Sequence, residues 1–469
     1  MPYSFTLANI RTEAAALWKL AWPVLIGQLA TVGMGVADVA MTGHTSAAEL
    51  AAVSLGASIW SIVIVTVQGT MMSINSIVAH EVGAGEFGKI PHSVRQSMWK
   101  ALGVGLASAL LANLATLLFD HLMMPGEVNQ RASLFVHIIS AGLPALACYR
   151  ALYGYSASIN QTKPVMVIAL LGLAFNIVVN WVLIFGRFGF PALGGIGCAI
   201  ATACCTWLML GAMLVWVRIA APYRQTYPFT HWEWPHWPEI RSMLRLGLPI
   251  GVTYFAEVSA FGAVSLLVAR FGVVEVSAHQ IALNFSSLVF MVPLSFGIGT
   301  VTRVGQAMGE RNPARARFAS WVGVGMALAF GVLSAVFIAV FRHQIAAAYT
   351  SDAAVQALCV QLLLYAAIFQ LSDATQVSTS FAIRGYKVTR QPMQIQLVAF
   401  WGIALPLGCV LGLAPEWLPF APARPMAAAG FWIGLVAGLT VAAVLLTWAM
   451  HRLTLARLET ENPGQTQGV

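Results

Sequence analysis

Apolar stretches of twenty or more residues recur along this chain from near residue 16 to residue 450, each long enough to cross the hydrocarbon core of a bilayer. In lipid every backbone N–H and C=O must find its partner inside the protein, which leaves only helices and closed barrels. The stretches lack the two-residue alternation of a barrel strand, so they read as helices. Only 9% of the 469 residues are charged and the mean hydropathy is +0.78, outside the range of a soluble domain. The expected fold class is an all-α membrane protein.

Breaks at Gly, Pro and charged residues place twelve spans, near 16–42, 50–80, 97–119, 132–157, 164–186, 193–217, 246–269, 276–302, 318–341, 353–383, 393–414 and 428–452. The first follows a polar start with Arg11, Glu13 and Lys19 and is long enough to span, so it is read as a retained helix and not a cleaved leader. Counting Lys and Arg on alternate sides puts 19 on one face and 5 on the other, with Arg150 inside the fourth span. The basic face is the cytoplasmic one, with both termini on it, in a multi-pass cytoplasmic-membrane protein. The net charge of +8 is strung between spans, so nucleic acid is not the expected partner. The six cysteines fall in or beside apolar stretches without metal-type spacing and read as packing residues.

The chain repeats itself. Pro23, Glu49 and Gly85-Glu86 correspond to Pro249, Glu275 and Gly309-Glu310 at offsets of 226, 226 and 224. A duplicated six-helix unit implies two pseudo-symmetric lobes with a cleft between them. The expected domains are an N-terminal lobe over 1–217, a cytoplasmic linker over 218–245, a C-terminal lobe over 246–455 and a polar, disordered tail over 456–469. Trp232, Trp234 and Trp237 in the linker read as interfacial anchors.

Ionisable groups inside apolar helices are costly and point to function by default. Of the seventeen acidic residues three stand in such helices: Asp38 in LATVGMGVADVAMT, Glu257 in LGLPIGVTYFAEVSAFGAV, and Asp373 among the polar side chains of YAAIFQLSDATQVSTSFAI. Arg150 is the one cation read as lying well inside a span, and a single base cannot neutralise three acids in two lobes. Asn176 and Asn180 are spaced i, i+4 and share a helix face. If the first and sixth spans flank the fifth, Asp38, both asparagines and Thr202 offer the hard oxygens a small cation prefers. An interhelical hydrogen-bond network that holds the lobe together would use the same residues, and a helix-end position near the outer surface would keep Asp38 hydrated. No phosphate loop, H-E-x-x-H, G-x-S-x-G or D-D-x-x-D motif is present, so no enzyme chemistry is expected. The histidines, His279 among them, read as interfacial packing at span ends and loops.

LAWPVLIGQLATVGMGVADVAMTGH (20–44), VAHEVGAGE (78–86) with VGQAMGERNPARAR (304–317), and LPIGVTYFAEV (248–258) together resemble the multidrug and toxic compound extrusion transporters, in particular their NorM branch, over roughly residues 10–455. The resemblance implies a V-shaped twelve-helix antiporter that expels small cationic, amphipathic drugs and dyes in exchange for Na+ or H+, with no other cofactor, acting as a monomer in the bilayer. It implies that Asp38, Asn176, Asn180 and Thr202 form a first-lobe cation site and that Glu257 and Asp373 are second-lobe acids for a cation or the substrate. NorM-branch members can carry a Tyr one turn before the tenth-span acid; Phe369 stands there in this chain, so a second-lobe Na+ site would lack that oxygen, whereas proton coupling needs only the carboxyl. Met34, Tyr254, Phe255, Phe261, Phe285 and Met291 could form an adaptable drug surface, with Gln280 as a polar contact. A flippase for lipid-linked sugars of related fold should line its cleft with Arg and Lys, and an intramembrane prenyl transferase should carry the missing diphosphate motif; both stand as weaker alternatives.

Overall fold

The computed structural model describes residues 5–121, 126–415 and 422–461, which are helical with no strand among them. The first half of the chain forms α1 (Leu7–Gly43), α2 (Ala47–Met71), α3 (Ser73–Gly83), α4 (Ile90–Ala115), α5 (Gly126–Ser140), α6 (Leu143–Ser158), α7 (Lys163–Phe185) and α8 (Gly195–Ile219). The second half forms α9 (Trp237–Val268), α10 (Val273–Gly309), α11 (Pro313–Tyr349), α12 (Ala353–Gly385), α13 (Arg390–Leu397), a π-helical turn Val398–Ala404, α14 (Leu405–Leu413) and α15 (Ala427–Glu461). Eleven stretches are membrane-length helices, and α5 with α6, bent by 41°, makes up to twelve. The helices run past the sequence-based limits, because a span needs only ~20 residues to cross lipid and the rest continues into the headgroup layer. Of the polar tail, the part up to Glu461 continues α15, and 462–469 lie outside the described residues.

The bends have local causes. Gly142 and Pro144 interrupt the fourth span, since proline cannot donate to the preceding turn. Pro406 lies at the start of α14 and withdraws the N–H that Gly402 would accept; the chain answers with the π turn just upstream. At the α2–α3 break the freed carbonyl of Thr70 receives the Lys100 ammonium at 3.4 Å, which also donates to Ser73 Oγ at 2.7 Å. Lys100 is 2% exposed, so Arg150 is not the only cation inside the spans; Arg384, at the end of α12, is buried as well. The sequence places both near span ends. Neighbouring helices cover them there, where lipid alone would have left them hydrated.

The duplication is visible in the turns. Ala84, Gly85 and Glu86 donate to the carbonyls of His80, Val82 and Glu81; Glu310, Arg311 and Asn312 donate to those of Gln306, Met308 and Ala307. Gly85 at φ +72 and Arg311 at φ +54 hold the same left-handed position, so the register here is 226 residues and not the 224 suggested by matching the two Gly-Glu pairs. Glu49 in the first turn of α2 caps α8 by accepting from the backbone N–H of Gly195 at 2.8 Å, and it also pairs with Arg131. Its repeat partner Glu275 accepts from Ala428 N–H at 3.1 Å and caps α15. A carboxylate at a helix N-terminus meets both orphan donors and the positive end of the helix dipole.

By contacts the described chain forms two compact units, one of residues 22–255 and one of 5–21 with 256–461. In the first, a core of Ala52, Val53, Phe135, Val136, Ile139 and Ile184 joins α2, α5 and α7. In the second, Val264, Phe369, Phe400, Phe431, Trp432 and Leu435 close α9, α12 and α15 around the π turn. The segment before α9 lies on α4: Arg95 donates to Glu233 at 2.7 Å, Trp99 Nε1 to Glu233 O at 2.9 Å and Gln96 to Trp234 O at 3.0 Å. His92 reaches Glu233 and Glu239 through its two ring nitrogens, each at 2.6 Å. Trp232, Trp234 and Trp237 remain exposed.

Arg95, helped by His92 and His231, holds the Glu233 carboxyl well below the usual carboxylate range. A depressed folded-state pKa adds stability that is complete above the unfolded value near 4.5 and is lost as pH falls through the folded value. Amide exchange in residues 229–236 is therefore expected to stay slow from pH 8 to pH 5 and to accelerate only under stronger acid. Glu233→Gln should loosen the segment across that whole range, by about 1.5–3 kcal/mol for a charge-assisted hydrogen bond.

Candidate functional site

Asp38 stands near the end of α1, where small residues let two other helices approach. Gly27 and Gly33 face Ala169, Val165 and Leu173 of α7, and Gly172 of α7 faces Cys205 and Met209 of α8. The i, i+4 pair Asn176 and Asn180, both fully buried, is thereby brought against Asp38 and Thr202. Asn180 Nδ2 donates to Asp38 Oδ1 at 2.6 Å and to Asn176 Oδ1 at 3.1 Å. Thr202 Oγ1 donates to Asp38 Oδ2 at 3.0 Å and accepts from Asn176 Nδ2 at 3.4 Å. All four residues named from the sequence meet in one place.

The donor set is oxygen-rich: two carboxylate oxygens, two amide oxygens and a hydroxyl. Asn180 Oδ1 is buried with no hydrogen-bond partner, an acceptor that only a proton donor or a cation would satisfy. The Cys198 thiol also contacts the Asp38 side chain, a neighbour that cysteine spacing alone did not reveal.

The second unit holds the other two acids together. Glu257 of α9 lies within electrostatic reach of Asp373 of α12 and of Arg384. Asp373 is 2% exposed and accepts from Gln376 Nε2 at 3.2 Å, while Gln376 Oε1 accepts from Gln396 of α13. The π turn reaches the same neighbourhood, with Trp401 Nε1 donating to the carbonyl of Ala256 at 3.1 Å, next to Glu257. The polar stripe of α12 is buried, with Ser372 on Thr440 at 2.8 Å and Gln370 donating to Ser286 O. Gln376 was one polar residue among several in the sequence; its i, i+3 spacing from Asp373 was the available signal. Gln396 had none, because its role depends on a contact across helices.

The repeat does not extend to these sites. At the repeat offset Asp38 falls on Val264, and the second unit fills that place with Phe400, Phe431 and Trp432. Phe369 stacks edge-on against Phe261 and Trp432 at 6.0 and 5.8 Å, so it is part of an apolar core. Of the residues named for a substrate surface, Phe261 and Phe285 pack on that core, Met34 takes a contact from Cys205 at 3.7 Å and Tyr254 one onto Met72 at 3.6 Å. Met291 is half-buried and Gln280 exposed. His279 is fully buried, between Ser265 and Trp432 Nε1 at 3.1 Å each, and is not an interfacial residue.

The chain matches the MatE family twice, over residues 23–182 and 249–410, with the two matches starting at Pro23 and Pro249. It belongs to the MatE family. Among MatE relatives it is 42% identical to multidrug resistance protein PmpM of Pseudomonas aeruginosa over 445 residues, covering 95% of this chain and 92% of that one. It is 39% identical to multidrug resistance protein NorM of Vibrio vulnificus, covering 94% and 96%. Its fold is similar to that of a eukaryotic MATE transporter, AtDTX14, with a TM-score of 0.85 at 19% identity over 96% of this chain and 99% of that one. For this MatE chain the all-helical, twelve-span expectation is therefore met.

Proposed function

We propose that the protein is a secondary antiporter of the bacterial cytoplasmic membrane that exports small cationic, amphipathic molecules in exchange for Na+ or H+. The observation that carries this reading is the Asp38 cluster, a carboxylate in an apolar helix ringed by Asn176, Asn180 and Thr202, with one amide oxygen left unsatisfied. Such a set can take up a proton or a small hard cation and release it without rebuilding the helices around it. The names of the relatives, multidrug resistance proteins, support drug export.

Glu257 and Asp373 supply the second charge. Two neighbouring carboxylates in a low-dielectric setting repel each other, and a cation between them relieves the repulsion, so this pair receives either the substrate's positive group or a second coupling ion. Inward movement of one elementary charge releases ~2.3 kcal/mol per 100 mV, enough over one or two ions to drive a solute outward. Lobes over 1–217 and 246–455, joined by the 218–245 linker, would expose the sites alternately to the two sides, in a monomer with both termini cytoplasmic, as the 19-to-5 distribution of Lys and Arg favours.

Dye efflux from proteoliposomes under a Na+ gradient alone, then under a pH gradient alone, tests this. One gradient is expected to drive efflux, and Glu257→Gln with Asp373→Asn should abolish it. Efflux under neither gradient, or efflux unchanged in the double variant and in Asp38→Asn, sinks the proposal.

A further inference from the structure

Along α6 every residue from Leu143 to Ser158 is buried except Arg150. The one residue of this closely packed helix that is not buried is thus a permanent cation. It lies eight residues, about 12 Å at 1.5 Å per residue, from the end of α6. Among the described residues its guanidinium makes no ion pair with a carboxylate and no hydrogen bond; Nε is buried without a partner, and the group lies over the face of Tyr153, 5.5 Å from Cζ to the ring centroid. The Tyr153 hydroxyl, on a residue 7% exposed, is buried and unpartnered as well. Tyr149 stacks edge-on against Tyr153 at 6.5 Å.

Stability does not account for this arrangement. An intramembrane arginine without a carboxylate costs free energy that a leucine would not. Two unsatisfied donors side by side, one with the planar fork that matches a carboxylate and one a hydroxyl, are complementary to a pair of anionic oxygens.

We propose that Arg150 and Tyr153 form a subsite for the carboxylate of transported molecules that carry both a cationic and an anionic group. Arg150 makes the negative end of such a zwitterion acceptable. This rests on the export reading above only for the identity of the ligand as a transported solute.

The test uses a matched pair of probes, a rhodamine with its carboxylate free and the ethyl ester of the same dye, which keeps only the cation. Binding to the purified full chain is followed by fluorescence polarisation. Arg150→Leu is expected to weaken the free acid about ten- to a hundredfold and leave the ester within about twofold, on the strength of charge-assisted hydrogen bonds. Tyr153→Phe should move the same ratio by about two- to tenfold, and Arg150→Lys should fall between the two. Thermal stability of Arg150→Leu should be equal to or higher than that of the parent.

A ratio unchanged by Arg150→Leu while the ester still binds overturns the subsite alone. A fall in stability of Arg150→Leu with parallel loss of both dyes assigns the arginine to structure and overturns it too. If instead Arg150→Leu removes a dependence on anionic lipid, seen in nanodiscs of phosphatidylcholine with and without phosphatidylglycerol, and leaves the dye ratio unmoved, the occupant is a lipid phosphate and the proposal fails. Ion-driven export that fails while the binding ratio moves as stated removes the export reading and leaves the subsite standing.

Discussion

Asp38→Asn is expected to lower ion-driven dye efflux about thirtyfold or more while leaving the protein folded. The substitution is nearly isosteric: the remaining carbonyl oxygen can accept from Asn180 Nδ2, and the Thr202 hydroxyl can turn from donating to accepting. What disappears is the negative charge. Truncating one member of a buried hydrogen-bonded charge arrangement costs about 2–5 kcal/mol, which sets the factor. The measurement is initial efflux rate under an imposed gradient beside thermal unfolding of the same preparation. A rate near that of the parent would mean that the cluster only ties α1 to α7 and α8. Loss of efflux together with a large fall in stability would mean the same, so the informative result is lost coupling at preserved stability. Thr202→Val, which removes one oxygen without touching the charge, should cost less than Asp38→Asn.

Gly434→Leu is expected to prevent accumulation of folded protein, and Gly434→Ala to destabilise by about 1–3 kcal/mol. Gly430, Gly434 and Gly438 recur every four residues on α15, and they face Gly412, Gly408 and Ala404. A Cβ at Gly434 would come 2.5 Å from the Ala404 carbonyl oxygen and 2.6 Å from the Gly408 nitrogen. These are backbone atoms, so no rotamer change can make room. In a bilayer there is little hydrophobic force between helices, and close backbone approach through small residues supplies the packing instead. The sign of the alanine result is decisive, because helix propensity alone would favour Gly434→Ala by up to about 1 kcal/mol. Gly211 on α8 is the control: a Cβ there meets nothing within 4 Å, so Gly211→Ala should be neutral or slightly stabilising. Thermal unfolding in detergent reads all three, and a Gly434→Ala protein as stable as the parent would remove the packing argument.

The Gly430, Gly434, Gly438 spacing was present in the sequence, yet it becomes informative only when the opposing helix is known. The same holds for Lys100 and Arg384. Each stands close to a span end, where a hydrated headgroup position is the ordinary expectation, and each is buried because α2 and α3, or the neighbours of α12, cover it. The repeat register shows a related limit: matching Gly-Glu to Gly-Glu gave 224, whereas the left-handed turn positions Gly85 and Arg311 are 226 apart. The two halves share the backbone geometry at this position, but only the first fills it with a glycine.

By itself the sequence determined the number and type of spans, the duplication and the identity of the acids. These follow from one-dimensional quantities: the length of an apolar run against the thickness of a bilayer, and the cost of an ion within it. Asn176 and Asn180 could be paired because they lie one turn apart, and the resemblance to the extrusion transporters, not the spacing, added Asp38 and Thr202 to them. Only the tertiary structure decided that the amide oxygen of Asn180 is left unsatisfied, that Gln376 and Gln396 back Asp373, and that Arg150 is the one residue of α6 that is not buried. Burial and pairing depend on what the other helices bring within hydrogen-bond range, about 3 Å, and that distance is set by small-residue contacts between segments far apart in the chain.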